Sequence, residues 1–220
     1  QRLAEAHHRI GDIRGRLGQV EIAAASYRRS AELYRERMNT DPSPTLVARL
    51  AAVHNELGIC LQHIRRQRTG LPKHLRKDQG GDGAAEFQAA RFLLEPIATA
   101  NSPPEVRYEL AHTYYLLGDK PRDSWPTRRR DENYEPQLLG SELDNTRSRD
   151  QRQRERTGEN ARFSGRNSDQ ELLQEATDVL QKATDLLRQL VEEYPESPDY
   201  RRLLAMCYME TSKGPSISAS

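Results

Sequence analysis

The sequence of 220 residues predicts an all-α protein built as a series of antiparallel helix hairpins. Three observations carry that prediction. Leu and Ala dominate the apolar residues while Val, Ile and Phe are sparse, a mix that favours helix over sheet. Apolar residues three or four apart, interrupted by Gly or Pro, recur in successive copies. Two of those copies overlay without a gap, Val106, Leu110, Ala111 and Tyr114 on Tyr200, Leu204, Ala205 and Tyr208.

The first hairpin is expected over about residues 3–40. Ile10, Ile13 and Leu17 recur at helical spacing around Gly11, and Gly18 breaks the helix. A second helix carries Ala23, Tyr27, Ser30 and Leu33 on one face. Small residues at Gly11, Ala23 and Ser30 allow close approach, with Tyr27 filling the space between turns. The second hairpin, about residues 45–102, pairs Leu50, Val53, Leu57, Gly58 and Leu61 with Phe87, Ala90 and Leu93. The third, about residues 104–195, pairs Val106, Leu110, Ala111 and Tyr114 with Ala176, Leu180, Ala183, Leu186 and Leu187, and ends near Tyr194-Pro195. A half repeat over residues 198–211 completes a domain of residues 1–212, and the segment 213–220 reads as a tail.

This grammar resembles the tetratricopeptide repeat family, most fully at Ile10, Gly11, Gly18, Ala23, Tyr27 and Ser30. The resemblance implies an α-α superhelix, or solenoid, whose first helices line a concave groove that grips a peptide or protein segment. Two departures stand out. The large aromatic residue that the family carries near the start of the first helix is His7, His54 and Arg107 in successive copies. The spacing from Gly11 to Gly58 is 47 residues and from Gly58 to Ala111 is 53, against a family period of about 34. The first excess predicts longer helices around Asp41-Pro42. Leu93-Leu94-Glu95-Pro96 and Pro198-Asp199-Tyr200-Arg201-Arg202 are similar to repeat tails of bacterial, planctomycete-type serine/threonine kinases, which implies a docking or regulatory part of a larger protein. The opening at Gln1, already inside a helical pattern, is expected of a piece of such a parent.

Two long polar insertions are expected within hairpins, over residues 65–83 and 119–169. The second is rich in Pro, Ser, Asn, Arg and Glu, too polar to offset the entropy of ordering, and is expected to be disordered. Trp125 and the Leu138-Leu139 pair lie in it.

Net charge is +1, so no global field points to nucleic acid or to an acidic membrane. No window of 18 apolar residues predicts a membrane span, and a cytoplasmic location is expected, with a membrane-anchored parent still compatible. Cys60 and Cys207 each sit in an apolar helical pattern and read as core residues rather than a disulfide or zinc pair.

The chemistry of catalysis is not written in the chain. The glycine loop, strand lysine and catalytic Asp with downstream Asn of kinases are missing, and Arg130-Asp131 lacks that context. Gly80-Gly81-Asp82-Gly83 has no Lys-Ser/Thr after it. His7 and His8 are adjacent, and neither they nor His54, His63 and His112 fall at metal-ligand spacing. Glu192-Glu193 and Asp131-Glu132 read as solvated surface. No cofactor, metal or catalytic residue is expected, and the chain is not read as an enzyme.

Helical phase assigns the partner groove to Glu5, His8, Asp12 and Arg16 in the first copy, and to Asn55, Ile59, Gln62 and His63 in the second. Tyr108, His112, Tyr115 and Leu116 follow in the third, and Arg202, Met206 and Met209 in the fourth. The expected partner is a protein or peptide. The alternatives are nucleic acid or a phospho-ligand held by the basic insertions (Arg65, Arg66, Arg68, Lys73, Arg76 and Lys77, and Arg147 to Arg166), and a structural spacer that self-associates through its open C-terminal repeat.

Overall fold

The computed structural model describes residues 2–69, 83–119, 171 and 173–212. Most of the two insertions, Trp125, Leu138-Leu139 and the tail of residues 213–220 lie outside the described residues. The described residues are helical, without a strand. The helices are α1 (Arg2–Arg16), α2 (Val20–Met38), α3 (Pro44–Thr69), α4 (Gly83–Leu94), α5 (Pro104–Gly118), α6 (residues 173–193) and α7 (Pro198–Ser212). No helix among the described residues is long and apolar enough to cross a membrane.

The chain divides into two compact units, Gln1–Asp119 with Val179–Ser220, and Lys120–Asp178. Of the second unit, the described part is helical, with Gln174 Nε2 donating to Asp178 Oδ1 at 2.8 Å one turn on. In the first unit each helix from α1 to α5 packs on the next, α3 also packs on α5, and α5 on α7.

Local chemistry sets the helix ends. Gly18 takes φ +75°, a left-handed conformation that suits glycine, and its N–H bonds to the Gly15 carbonyl at 2.9 Å to close α1. The first helices α3, α5 and α7 each begin at a proline, Pro44, Pro104 and Pro198. Proline lacks only an N–H that the first turn leaves unpaired anyway. Before α3, Ser43 Oγ accepts the Leu46 N–H at 3.2 Å. The expected extension around Asp41-Pro42 is present, since α2 runs to Met38 and α3 starts at Pro44. Helix α3 runs past Arg65, the expected start of the first insertion, to Thr69.

Glycines set the hairpin spacing. A Cβ on Gly11 would lie 2.5 Å from the Tyr27 ring of α2. A Cβ on Gly58 would overlap the Phe87 ring of α4 and stand 2.9 Å from the Gly83 carbonyl. Tyr27 and Phe87 are 2% and 1% exposed, so neither ring has room to retreat. One core joins α1, α2 and α3 through Ala4, Ala23, Tyr27, Tyr34, Leu50, Val53, Leu57 and Leu61. The other joins α3 to α7 through Ala51, Ala90, Leu94, Val106, Leu110, Ala111, Leu187, Leu190, Leu203 and Cys207. Helix α3 contributes to both and links them. Cys60 and Cys207 are both buried free thiols.

Two apolar faces depart from the expected pattern. Ile10, Ile13 and Leu17 are 43%, 58% and 64% exposed, and α1 packs instead through Ala4 and Gly11. On α7, Leu203 and Cys207 are buried while Ala205 and Tyr208 are exposed. The α5 positions that overlay Ala205 and Tyr208 pack because α5 has helices on both sides. No helix follows α7 among the described residues.

Polar links also join neighbouring helices at His54 and Arg107. Buried His54 of α3 lies 2.8 Å from Arg35 of α2 and 2.6 Å from Glu86 of α4. Because Arg35 can only donate, Nε2 accepts and Nδ1–H donates to Glu86. That hydrogen bond holds the Glu86 carboxyl below its ordinary value of 4.5, against the opposing effect of burial. Buried Arg107 of α5 forks onto Glu193 of α6, at 2.7 and 2.6 Å, and its Nε is the buried side-chain polar atom left without a partner among the described residues.

Gly58→Ala should lower stability by about 1–3 kcal/mol from overpacking, although alanine in an open helix position would add nearly 1 kcal/mol. Urea denaturation reads the sign, and a stabilised variant would mean that the Phe87 ring can yield. For Glu86, a folded-state pKa below the unfolded one stabilises fully above pH 4.5 and fades as pH falls through the lowered value. Glu86→Gln should therefore cost about 1–2 kcal/mol at neutral pH, with the gap from wild type closing in acid.

Candidate functional site

The first helices of the hairpins place a line of polar and aromatic side chains across the first unit. On α1, Asp12 Oδ1 accepts the Tyr27 hydroxyl at 2.8 Å. Burial, then this carboxylate, hold the Tyr27 phenol strongly protonated. His8 meets the Tyr27 ring edge-on, with centroids 5.7 Å apart, and lies 3.7 Å from Asp12. Glu5 pairs with Arg49 and so ties α1 to α3. Arg16 is exposed at the end of the helix.

The line continues on α3 at Glu56, which is half-buried and has no hydrogen bond or ion pair among the described residues. Burial pushes its carboxyl above the ordinary 4.5. Nearby His112 opposes that rise, Asp12 adds to it, His8 opposes it and Glu109 adds to it. These four neighbours come from α1 and α5, so one carboxylate senses both flanking first helices. Gln62 is half-buried, His63 is exposed and Ile59 is 37% exposed.

On α5, Tyr108 stacks on His112 at 6.2 Å and tilts against Tyr200 of α7 at 5.3 Å. Burial pushes the Tyr108 phenol up to about 12. Glu109 sits 3.9 Å from His112. Leu116 and Met206 are half-buried against the second core, whereas Arg202 and Met209 are exposed.

Two residues expected in the groove belong to the interior. Asn55 is fully buried, and its Nδ2 donates to Thr113 Oγ1 at 3.0 Å and reaches Glu109 Oε2 at 3.5 Å. Helical phase places it beside the groove face, but the close α3–α5 contact covers it. Tyr115 is 7% exposed and packs in the second core. Conversely, Glu56 and Glu109 were not singled out in the sequence. The signal was available, since Glu56 falls one turn before Ile59 and Cys60, and Glu109 one turn before Thr113.

Of the basic insertion residues, Arg65 and Arg66 lie on α3, while Lys73, Arg76, Lys77 and the Arg147 to Arg166 cluster lie outside the described residues. Among the described residues, no three His, Cys, Asp or Glu side chains gather as a metal ion would require. The line contains hydrogen-bond donors, acceptors and aromatic faces, which are the elements of recognition. No protein-family model, curated protein or solved structure matches the chain.

Glu56 supplies a direct measurement. Its raised folded-state pKa favours folding with the carboxyl protonated, so that contribution is full below pH 4.5 and is lost as pH rises through the raised value. Glu56→Gln stays neutral throughout, so it should gain on wild type as pH rises from about 4 to 7. Parallel urea midpoints at both pH values test this. A constant difference would remove the buried, unpaired carboxylate from the site.

Proposed function

We propose that the chain is a tetratricopeptide-like α-α superhelix whose first helices α1, α3, α5 and α7 form a wall that binds a peptide or protein segment. The observation that carries this reading is the series His8, Asp12, Glu56, His112, Tyr108 and Tyr200, drawn from four first helices, linked by ring contacts and by the charges that Glu56 senses, and left partly open to solvent. Hairpin packing consumes most of the apolar faces of α3 and α5, so their free side offers a ligand mainly polar and aromatic groups. Tyr and His present flat, amphipathic surfaces that lose little entropy when they bind. Ile59 and Met206 add apolar contact at either side, and Asp12, Glu56 and Glu109 give the wall acceptors for a partner's backbone or cationic side chains.

Within a larger protein such a wall would serve as a docking or regulatory part, as the resemblance to kinase tails implies. The reading calls for no catalysis by this chain.

The test is selection of binders from a random peptide library on the immobilised chain. Selected peptides should lose affinity by about tenfold or more on Tyr108→Ala with His112→Ala, at unchanged helicity by circular dichroism. Tyr115→Ala is unsuited to this test, because it opens the core. Peptides that bind the double variant as tightly as wild type would place recognition elsewhere.

A further inference from the structure

The outward face of α1 carries an apolar stripe that nothing in the described structure covers. Leu3, Ala6, Ile10, Ile13 and Leu17 follow one another by alternating steps of three and four residues. All are exposed, Leu3 at 57% and Leu17 at 64%, and Ile22 at the start of α2 adds another exposed side chain at 50%. Leu17 still belongs to the last turn, because its N–H bonds to the Ile13 carbonyl at 3.1 Å. The packed side of α1, through Ala4 and Gly11, points roughly the opposite way. A narrow stripe of this period matches the seam that one helix offers another.

Both edges of the stripe are basic. Arg2, Arg9 and Arg16 line one edge at seven-residue intervals, and His7 and Arg14 line the other. All four arginines are exposed. The two carboxylates of α1, Glu5 and Asp12, lie away from the stripe and are already engaged, by Arg49 and by the Tyr27 hydroxyl. An aliphatic seam with Arg2, Arg9 and Arg16 along one edge and Arg14 on the other selects its partner by complementarity.

We propose that this face docks an amphipathic helix of another protein, one whose own apolar seam is flanked by Asp and Glu. Charge argues against a second copy. Pairing α1 with itself, parallel or antiparallel, sets arginine-bearing edges against each other with no carboxylate between them, and like charges across such a seam repel. Composition argues against a lipid surface. The stripe has no Trp or Phe for the headgroup boundary, and its leucines stand only at its two ends, Leu3 and Leu17. The face is separate from the α1–α3–α5–α7 line, so it gives the chain a second binding surface of different chemistry.

The probe is a synthetic peptide of about three heptads with Leu seam positions and Glu flanks, beside a twin with Lys flanks. Fluorescence anisotropy against the full chain should show the Glu peptide binding at least about tenfold tighter than the Lys twin. Ile10→Glu with Ile13→Glu should abolish that binding at unchanged circular dichroism, since both side chains are exposed. Arg9→Glu with Arg16→Glu should shift the preference toward the Lys twin, and Tyr108→Ala should change nothing. Equal binding of the two peptides overturns the proposal, as does undiminished binding by the Ile10/Ile13 variant. So does a wild-type dimer in light scattering that the Ile10/Ile13 variant dissolves, which would make a second copy the occupant. Co-sedimentation with phosphatidylserine vesicles that the same variant abolishes would make it a membrane and overturns the proposal too.

Discussion

The arrangement rests on the contact between an aromatic ring and a glycine that has no side chain to keep it away. Tyr27 lies over Gly11 and Phe87 over Gly58, each ring on the second helix of a hairpin and each glycine on the first. The contact brings the two backbones close enough for Ala23 and Ala90 to be fully buried. It also explains the bias toward Ala and Gly at the seams, where a larger residue would push the helices apart and loosen every later contact. A helix in an exposed setting loses stability with glycine inside it. Here that loss is offset by the ring it admits.

Polar links run both between hairpins and within them, beside the apolar cores. His54 couples Arg35 to Glu86, Asn55 couples to Thr113, and Arg107 forks onto Glu193. Each places a polar group in a site shielded from water, where an unmatched partner costs more than a matched one contributes. Such links add little net stability but penalise any sliding of one hairpin along the next. Two of them stand at His54 and Arg107, buried positions filled through directional bonds rather than by apolar packing alone. Directional bonds there exchange some hydrophobic stabilisation for a stricter register.

Periodicity made the helices legible and left the faces undecided. The order of elements, the glycine turn at Gly18, the buried Val106, Leu110, Ala111 and Tyr114 and the extension of α2 and α3 around Asp41-Pro42 could all be read from spacing. Spacing states which residues share a face but not whether a neighbour covers it. That is why Ile10, Ile13 and Leu17 looked like a seam and are open, while Ala4 and Gly11, which carry almost no hydrophobic signal, make the contact. Ala205 and Tyr208 fail for the same reason, because their counterparts on α5 have a following helix against them. Asn55 and Tyr115 show the converse error at the candidate site. Both have polar atoms and suit a groove, but the α3–α5 approach buries the first and the second core buries the other. Phase on an isolated helix cannot resolve a residue that stands at the border of two contacts.

Glu56 and the α1 stripe can be weighed together as free-energy costs left unrecovered within the chain. A half-buried carboxylate with a raised pKa and no ion pair opposes folding at neutral pH. Five aliphatic side chains open to water along one helix forgo a burial that a few substitutions could remove the need for. The rest of the described fold is economical, with tight seams and nearly all buried polar side-chain atoms bonded. Selection for stability alone would replace Glu56 with Gln and the stripe with Lys or Glu. A cationic group facing Glu56 or an acidic-flanked helix along α1 would relieve the one cost or the other. The two costs differ in their physics. The first is electrostatic, confined to one point and sensitive to pH, and the second is hydrophobic, extended along about four turns and only edged by charge. One ligand could not relieve both, because the stripe turns away from the wall on which Glu56 sits. Under the two proposals above, the mismatch calls for two ligands of different chemistry on the first unit.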